Sequence, residues 1–130
     1  MKKLFILFAF VFMLLPACGQ TIENKQEAVY VNITAEEAKK IMDTETDYVI
    51  LDVRTQEEYD QGHIPGAINI ANEFIGTDEI PELPNKDRLI MVYCRSGNRS
   101  KQAAQKLVDL GYTNIVEFGG ILDWPGDVEK

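Results

Sequence analysis

Cys94 is followed by Arg95-Ser96-Gly97-Asn98-Arg99-Ser100, a run that places a thiol, two guanidinium groups and a glycine side by side. The chemistry open to such a run is nucleophilic. The thiolate attacks, not the thiol, and an ordinary Cys of pKa near 8.5 is only a few per cent ionised at neutral pH. At a helix N-terminus or beside Arg that value falls to about 3.5–7.5, because partial positive charge collects there. Successive backbone N–H groups of residues 95–100 can converge on one point and form an anion cradle. Arg95 and Arg99 add fixed cations that fork onto an oxyanion, each charge-assisted contact contributing roughly 1.5–3 kcal/mol. The bland alternative, an inert buried Cys followed by two solvated Arg, leaves unexplained why a cradle follows the thiol directly.

The elements that must position this run alternate between strand and helix. Residues 29–33 read as a strand, and Thr34 to Glu37 form a capping box that opens a helix through Met42. Tyr48 to Val53 is a near-continuous apolar run, as expected of a central parallel strand covered on both faces. Thr55 to Glu58 is a second capping box, so a short helix runs to Gly62; a turn at His63-Ile64-Pro65-Gly66 then leads to a brief strand over 67–70. Pro81 and Pro84 interrupt the stretch from Ala71 to Lys86, leaving room for one helical turn at 78–83. Arg88 to Tyr93 is a second buried strand that delivers Cys94, and a helix starts after the loop, with Ala103, Ala104, Leu107 and Val108 on one face and Gly111 as a left-handed C-cap. A strand at 114–118, a Gly119-Gly120 turn and a last helical turn at 121–124 complete the domain. Short crossovers of this kind give an α/β fold, a mostly parallel sheet sandwiched between helices.

Charge and composition exclude several functions. The chain has 130 residues, 21 acidic and 13 basic, for a net charge of −8, so it lacks the basic face that nucleic acid demands. Two Cys and one His are too few for a structural zinc site, and no metal or cofactor is expected. The single His63, in a turn after another element, is read as structural and not as a catalytic base.

The N-terminus has its own logic. Lys2 and Lys3 precede twelve apolar residues, Leu4 to Leu15, too few to span a bilayer but suited to a secretory signal. Leu15-Pro16-Ala17-Cys18 resembles a bacterial lipoprotein box. The expectation is a signal peptide at 1–17, a lipidated tether at 18–28 that begins with Cys18, and a domain at 29–130. Cleavage removes only Lys2 and Lys3 among the charged residues, leaving a net charge of −10. With Cys18 acylated, Cys94 is the remaining thiol in an extracytoplasmic, oxidising setting. The domain is expected to meet the membrane through that lipid alone and to act as a monomer.

Four segments together resemble the rhodanese family: Leu51-Asp52-Val53-Arg54, Gly62 to Ile70, Cys94 to Ser100, and Gly119-Gly120-Ile121-Leu122-Asp123-Trp124. The resemblance spans about 29–126 and implies a rhodanese-like three-layer sandwich and a sulfurtransferase. In that reading Cys94 takes the outer sulfur of thiosulfate or another sulfane-sulfur donor. The resulting persulfide then passes the sulfur to cyanide, a thiol or a redoxin. It makes Cys94 the nucleophile, the amides of Arg95, Ser96, Gly97, Asn98, Arg99 and Ser100 the cradle, and Arg95 and Arg99 the sulfonate holders. Asp52 and Arg54 stand beside the site as supporting charges, with support of the fold favoured over direct chemistry. Gly120 and Trp124 shape a wall near the loop or simply pack in the core. Only six residues follow Trp124, so the family's usual final helix is cut short. Phosphatases of the same fold have five residues between Cys and Arg, whereas four separate Cys94 from Arg99, a tighter loop that disfavours phosphatase and arsenate reductase chemistry. A noncatalytic module that carries a persulfide or binds a partner is the remaining alternative.

Overall fold

A computed structural model describes residues 29–76 and 78–130. The expected signal segment, Cys18 and the tether lie outside the described residues.

The strands are β1 (Val31–Asn32), β2 (Tyr48–Asp52), β3 (Ile68–Asn69), β4 (Leu89–Cys94) and β5 (Ile115–Gly120); the helices are α1 (Ala35–Thr44), α2 (Gln56–Gln61) and α3 (Asn98–Asp109). The five strands form one sheet in the order β1-β5-β4-β2-β3, with every pairing parallel. β4 lies at its centre, and side chains alternate across it as a pleated strand requires. Ile90, Val92 and Cys94 join the layer containing Ala103, Ala104 and Leu107 of α3. Met91 and Tyr93 join the opposite layer with Ala35 and Ala38 of α1. Two apolar layers flank the sheet, which is the sandwich expected from the alternating elements.

The Thr caps form as read: Thr34 Oγ1 accepts from Glu37 N at 3.1 Å and Thr55 Oγ1 from Glu58 N at 3.2 Å. Gly111 holds the left-handed φ of 94° predicted for it. Several boundaries differ. β1 is shorter than the strand expected over 29–33, and α1 continues past Met42 to Thr44. The helical turn expected at 78–83 is replaced by a 3-10 turn at Asn72–Phe74; between the prolines only a tight turn remains, closed by Leu83 N donating to Ile80 O at 3.0 Å. Gly119-Gly120 is part of β5 rather than a turn, with an irregularity in register between Val92 and Cys94 that aligns Cys94 with Gly120.

A buried charge network fixes the end of the sheet where Cys94 sits. Asp52 is fully buried; it accepts from Arg54 Nη2 at 2.7 Å, from Arg54 Nε at 3.1 Å and from the Tyr93 hydroxyl at 2.7 Å. Arg54 Nη2 also donates to Gly62 O at 2.7 Å, at the end of α2, while Asn69 of β3 donates to the carbonyls of Asp52 and Arg54. Every charge is partnered, so removing one partner strands the other in a low-dielectric interior. Arg54→Ala is expected to cost about 3–5 kcal/mol of unfolding free energy in urea denaturation. A loss under about 1 kcal/mol, typical of a solvent-exposed pair, would contradict this account.

Candidate active site

Cys94 is the last residue of β4, and its side chain is 1% exposed. The loop after it is shorter than the sequence suggests. α3 begins at Asn98, so Asn98, Arg99 and Ser100 form its first turn rather than part of a loop. Gly97 is the N-cap, with φ 110°, and a Cβ there would stand 3.5 Å from Gly119 Cα. The left-handed φ favours glycine, while the Gly119 contact would be an ordinary one. Its N–H donates to Cys94 Sγ at 3.0 Å, and the Ser100 hydroxyl lies 3.4 Å from the same sulfur.

These contacts decide the state of the thiol. Burial pushes Cys94 upward, but hydrogen bonds from the Ser100 hydroxyl and from the Ser100, Gly97 and Ser96 amides outweigh it and hold the thiol below its ordinary value. Because folding lowers this pKa and so favours the thiolate, it stabilises the fold above the ordinary thiol pKa, and that contribution fades as pH falls through the folded value.

The two loop cations differ. Arg99 is half-buried and forks onto Glu58 of α2, with both N···O distances 3.0 Å. Sequence reasoning treated it as a free sulfonate holder, whereas here its guanidinium is already paired. Arg95 is exposed, and among the described residues no hydrogen bond or ion pair engages its guanidinium. Ser96 and Asn98 are exposed, Gly97 and Ser100 buried. Asp52 and Arg54 pair with each other, as described above, which fits the supporting role. His63 is also structural: it stacks on Tyr59 with ring centroids 3.7 Å apart and pairs with Glu129 through the backbone.

Gly120 is set against the loop itself. A Cβ there would fall 1.8 Å from Arg95 O and 2.5 Å from Ser96 N, so backbone occupies the space any side chain needs. Trp124 packs beside Phe118, centroids 5.9 Å apart, in the core layer of α1. A groove of about 510 Å³ opens beside the loop, bordered by Ser96, Gly97, Lys101, Gly119 and the start of α1.

The strongest feature that sequence reasoning missed is Glu117. This residue is fully buried on β5, and its carboxylate meets Ser100 Oγ at 2.6 Å, Gly119 N at 2.8 Å and Asn32 Nδ2 at 2.5 Å. Its one signal in the sequence is a charge inside an otherwise apolar strand.

The rhodanese-like domain family matches residues 34–126, which contain Cys94, its loop, Ser100 and Glu117. The chain belongs to the rhodanese-like domain family. Among its relatives, a sulfurtransferase of Allochromatium vinosum is 40% identical over 88 residues, covering 67% of this chain and 79% of that protein. The thiosulfate sulfurtransferase PspE of Escherichia coli is 38% identical over 73 residues, covering 56% of this chain and 70% of PspE. A solved rhodanese with anions from E. coli aligns with a TM-score of 0.59 and 35% identity, covering 64% of this chain and 98% of that one. The rhodanese-like sandwich anticipated from four short segments is therefore the fold of this chain.

Iodoacetamide alkylation tests the state of the thiol. The rate for Cys94 is expected to reach half its plateau below the ordinary thiol pKa of about 8.5. Gly120→Ala, by displacing the Arg95 carbonyl, is expected to move that midpoint upward; an unshifted profile would mean that the loop amides do not set the thiol's state.

Proposed function

We propose that this chain is an exported sulfurtransferase that moves sulfane sulfur from thiosulfate or a related donor to a thiophilic acceptor. The observation that carries the proposal is the buried Cys94 Sγ held by the Gly97 amide at 3.0 Å at the start of α3. In the first half-reaction the thiolate attacks the donor's outer sulfur. A Cys94 S–S bond forms, the donor's own S–S bond breaks and its electron pair leaves with sulfite. The terminal persulfide sulfur carries the charge, and the amide cradle that favoured the thiolate favours it in turn. Cyanide, a thiol or a redoxin thiolate then takes the outer sulfur and returns the Cys94 thiolate, which makes the kinetics ping-pong. Thiosulfate as donor draws support from the name of the E. coli relative.

Arg95 is the cation available to meet the donor's sulfonate, since Arg99 is engaged by Glu58. Export and anchoring rest on the sequence of the first 18 residues alone, with Cys18 as the acylated residue and an extracytoplasmic domain as the result.

Intact mass of the purified full chain after thiosulfate is expected to show one added sulfur, absent from Cys94→Ser and released by cyanide as thiocyanate. No added sulfur would overturn thiosulfate as the donor, and loading without turnover would mark a persulfide carrier instead of an enzyme. Arg95→Ala is expected to raise the thiosulfate KM about tenfold, a change of about 1.4 kcal/mol, and Arg99→Ala to raise it less. In cells given a labelled fatty acid, the chain is expected to take up label and Cys18→Ser to take up none; an unlabelled wild-type chain would refute the anchor.

A further inference from the structure

Glu117 is the buried ionisable group that the sulfur-transfer scheme leaves unused, and it is one hydroxyl away from the nucleophile. Ser100 Oγ lies 3.4 Å from Cys94 Sγ and 2.6 Å from Glu117 Oε1. The same hydroxyl is also 3.0 Å from Gly97 O and 3.3 Å from Gly119 O, so Glu117 is its nearest partner.

A serine hydroxyl has one proton to give. If Glu117 is a carboxylate, that proton belongs to Oε1, and Ser100 can only accept from a Cys94 thiol. If Cys94 is a thiolate, Ser100 donates to sulfur, and the short 2.6 Å contact then needs a proton from Glu117. The geometry serves each state when the pair holds one proton between its two ends. Two anions this close, with Cys94 1% and Glu117 0% exposed, would each raise the cost of the other.

We propose that Glu117 is a positioning residue that takes up the Cys94 proton through Ser100, so that thiolate and persulfide exist opposite a neutral carboxyl. In the transfer the Cys94 S–H bond breaks and its proton goes to Ser100 Oγ. The proton of Ser100 moves to Glu117 Oε1, and the electron pair stays on sulfur. No charge leaves or enters the site. Asn32 of β1 and the Gly119 amide of β5 hold the Glu117 oxygens in place for this exchange. Arg95 of the loop, Arg99 with its partner Glu58, Lys101 of α3, Glu36 of α1 and Asp123 after β5 are the charged groups farther out around the loop and groove.

The inference rests on Cys94 as the nucleophile but not on which sulfur donor it uses, and its test needs no sulfur transfer. Infrared difference spectra of the full chain, free minus iodoacetamide-alkylated, are recorded across pH beside the ultraviolet absorbance of the thiolate. Alkylation forms the S–C bond and releases iodide, which removes the anion opposite Glu117, and in the proposed scheme the carboxyl proton then passes to solvent. The expected result is a protonated-carboxyl band that accompanies the thiolate and disappears on alkylation. The band is expected to be absent in Glu117→Gln. In Ser100→Ala, which keeps the carboxyl but cuts the connection, it is expected not to respond to alkylation. Thiolate absorbance with no alkylation-sensitive carboxyl band at any pH would overturn the proposal, as would a band that survives Glu117→Gln. Sulfur loading of the same samples, read by mass, tests the transferase reading separately.

Discussion

The place of Cys94 depends on an ion pair far more deeply buried than the thiol's own chemistry requires. Asp52 at the end of β2 binds Arg54, and through it the end of α2; through the Tyr93 hydroxyl it binds β4 one residue before the nucleophile. Tyr93 in turn accepts from Ile64 N at 3.1 Å, which ties in the chain that leads to β3. Four segments therefore meet at one carboxylate. An apolar cluster of equal volume could supply as much stability, but it would not fix distances and directions as a satisfied charge network does.

On this frame the loop is built by backbone rather than by side chains. Gly120 lets the loop backbone approach more closely than any Cβ would allow, Gly97 takes the left-handed turn, and the amides that result face sulfur. The irregular register opposite Cys94 belongs to the same construction, since it brings Gly119 and Gly120 to the sulfur's level on the neighbouring strand. Ser100 joins the two sides, reaching from the first turn of α3 to Glu117 on β5. The nucleophile, its amide donors and its proton partner thus come from β4, α3 and β5, brought together at the C-terminal end of the central strand.

Sequence patterns carried much of this because the physics was local. β2 and β4 are covered on both faces, so they read as unbroken apolar runs, and Thr34 and Thr55 cap helices by contacts within four residues. The start of α3 was misplaced because its N-cap is Gly97, which offers no side-chain acceptor to announce a helix. The 3-10 turn at Asn72–Phe74 is too short to show any period. Gly119-Gly120 looks like a turn until the neighbouring backbone of Arg95 is known. The pairing of Arg99 with Glu58, 41 residues away, is a long-range fact that no local pattern encodes, and the charge of Glu117 within an apolar strand marks the residue without naming its partners.

The uniform direction of the strands also determines which way the domain faces. β1 runs parallel to β4 and β5, with Val31 opposite Val116, so the polypeptide before it enters at the end of the sheet where the other strands begin. Cys94 ends β4 toward the other pole, three residues beyond the level of Val31, or about 10 Å along the strands at the usual rise. The two poles of the sheet therefore divide the labour: one receives the chain at Val29 and Tyr30, the other carries the sulfur.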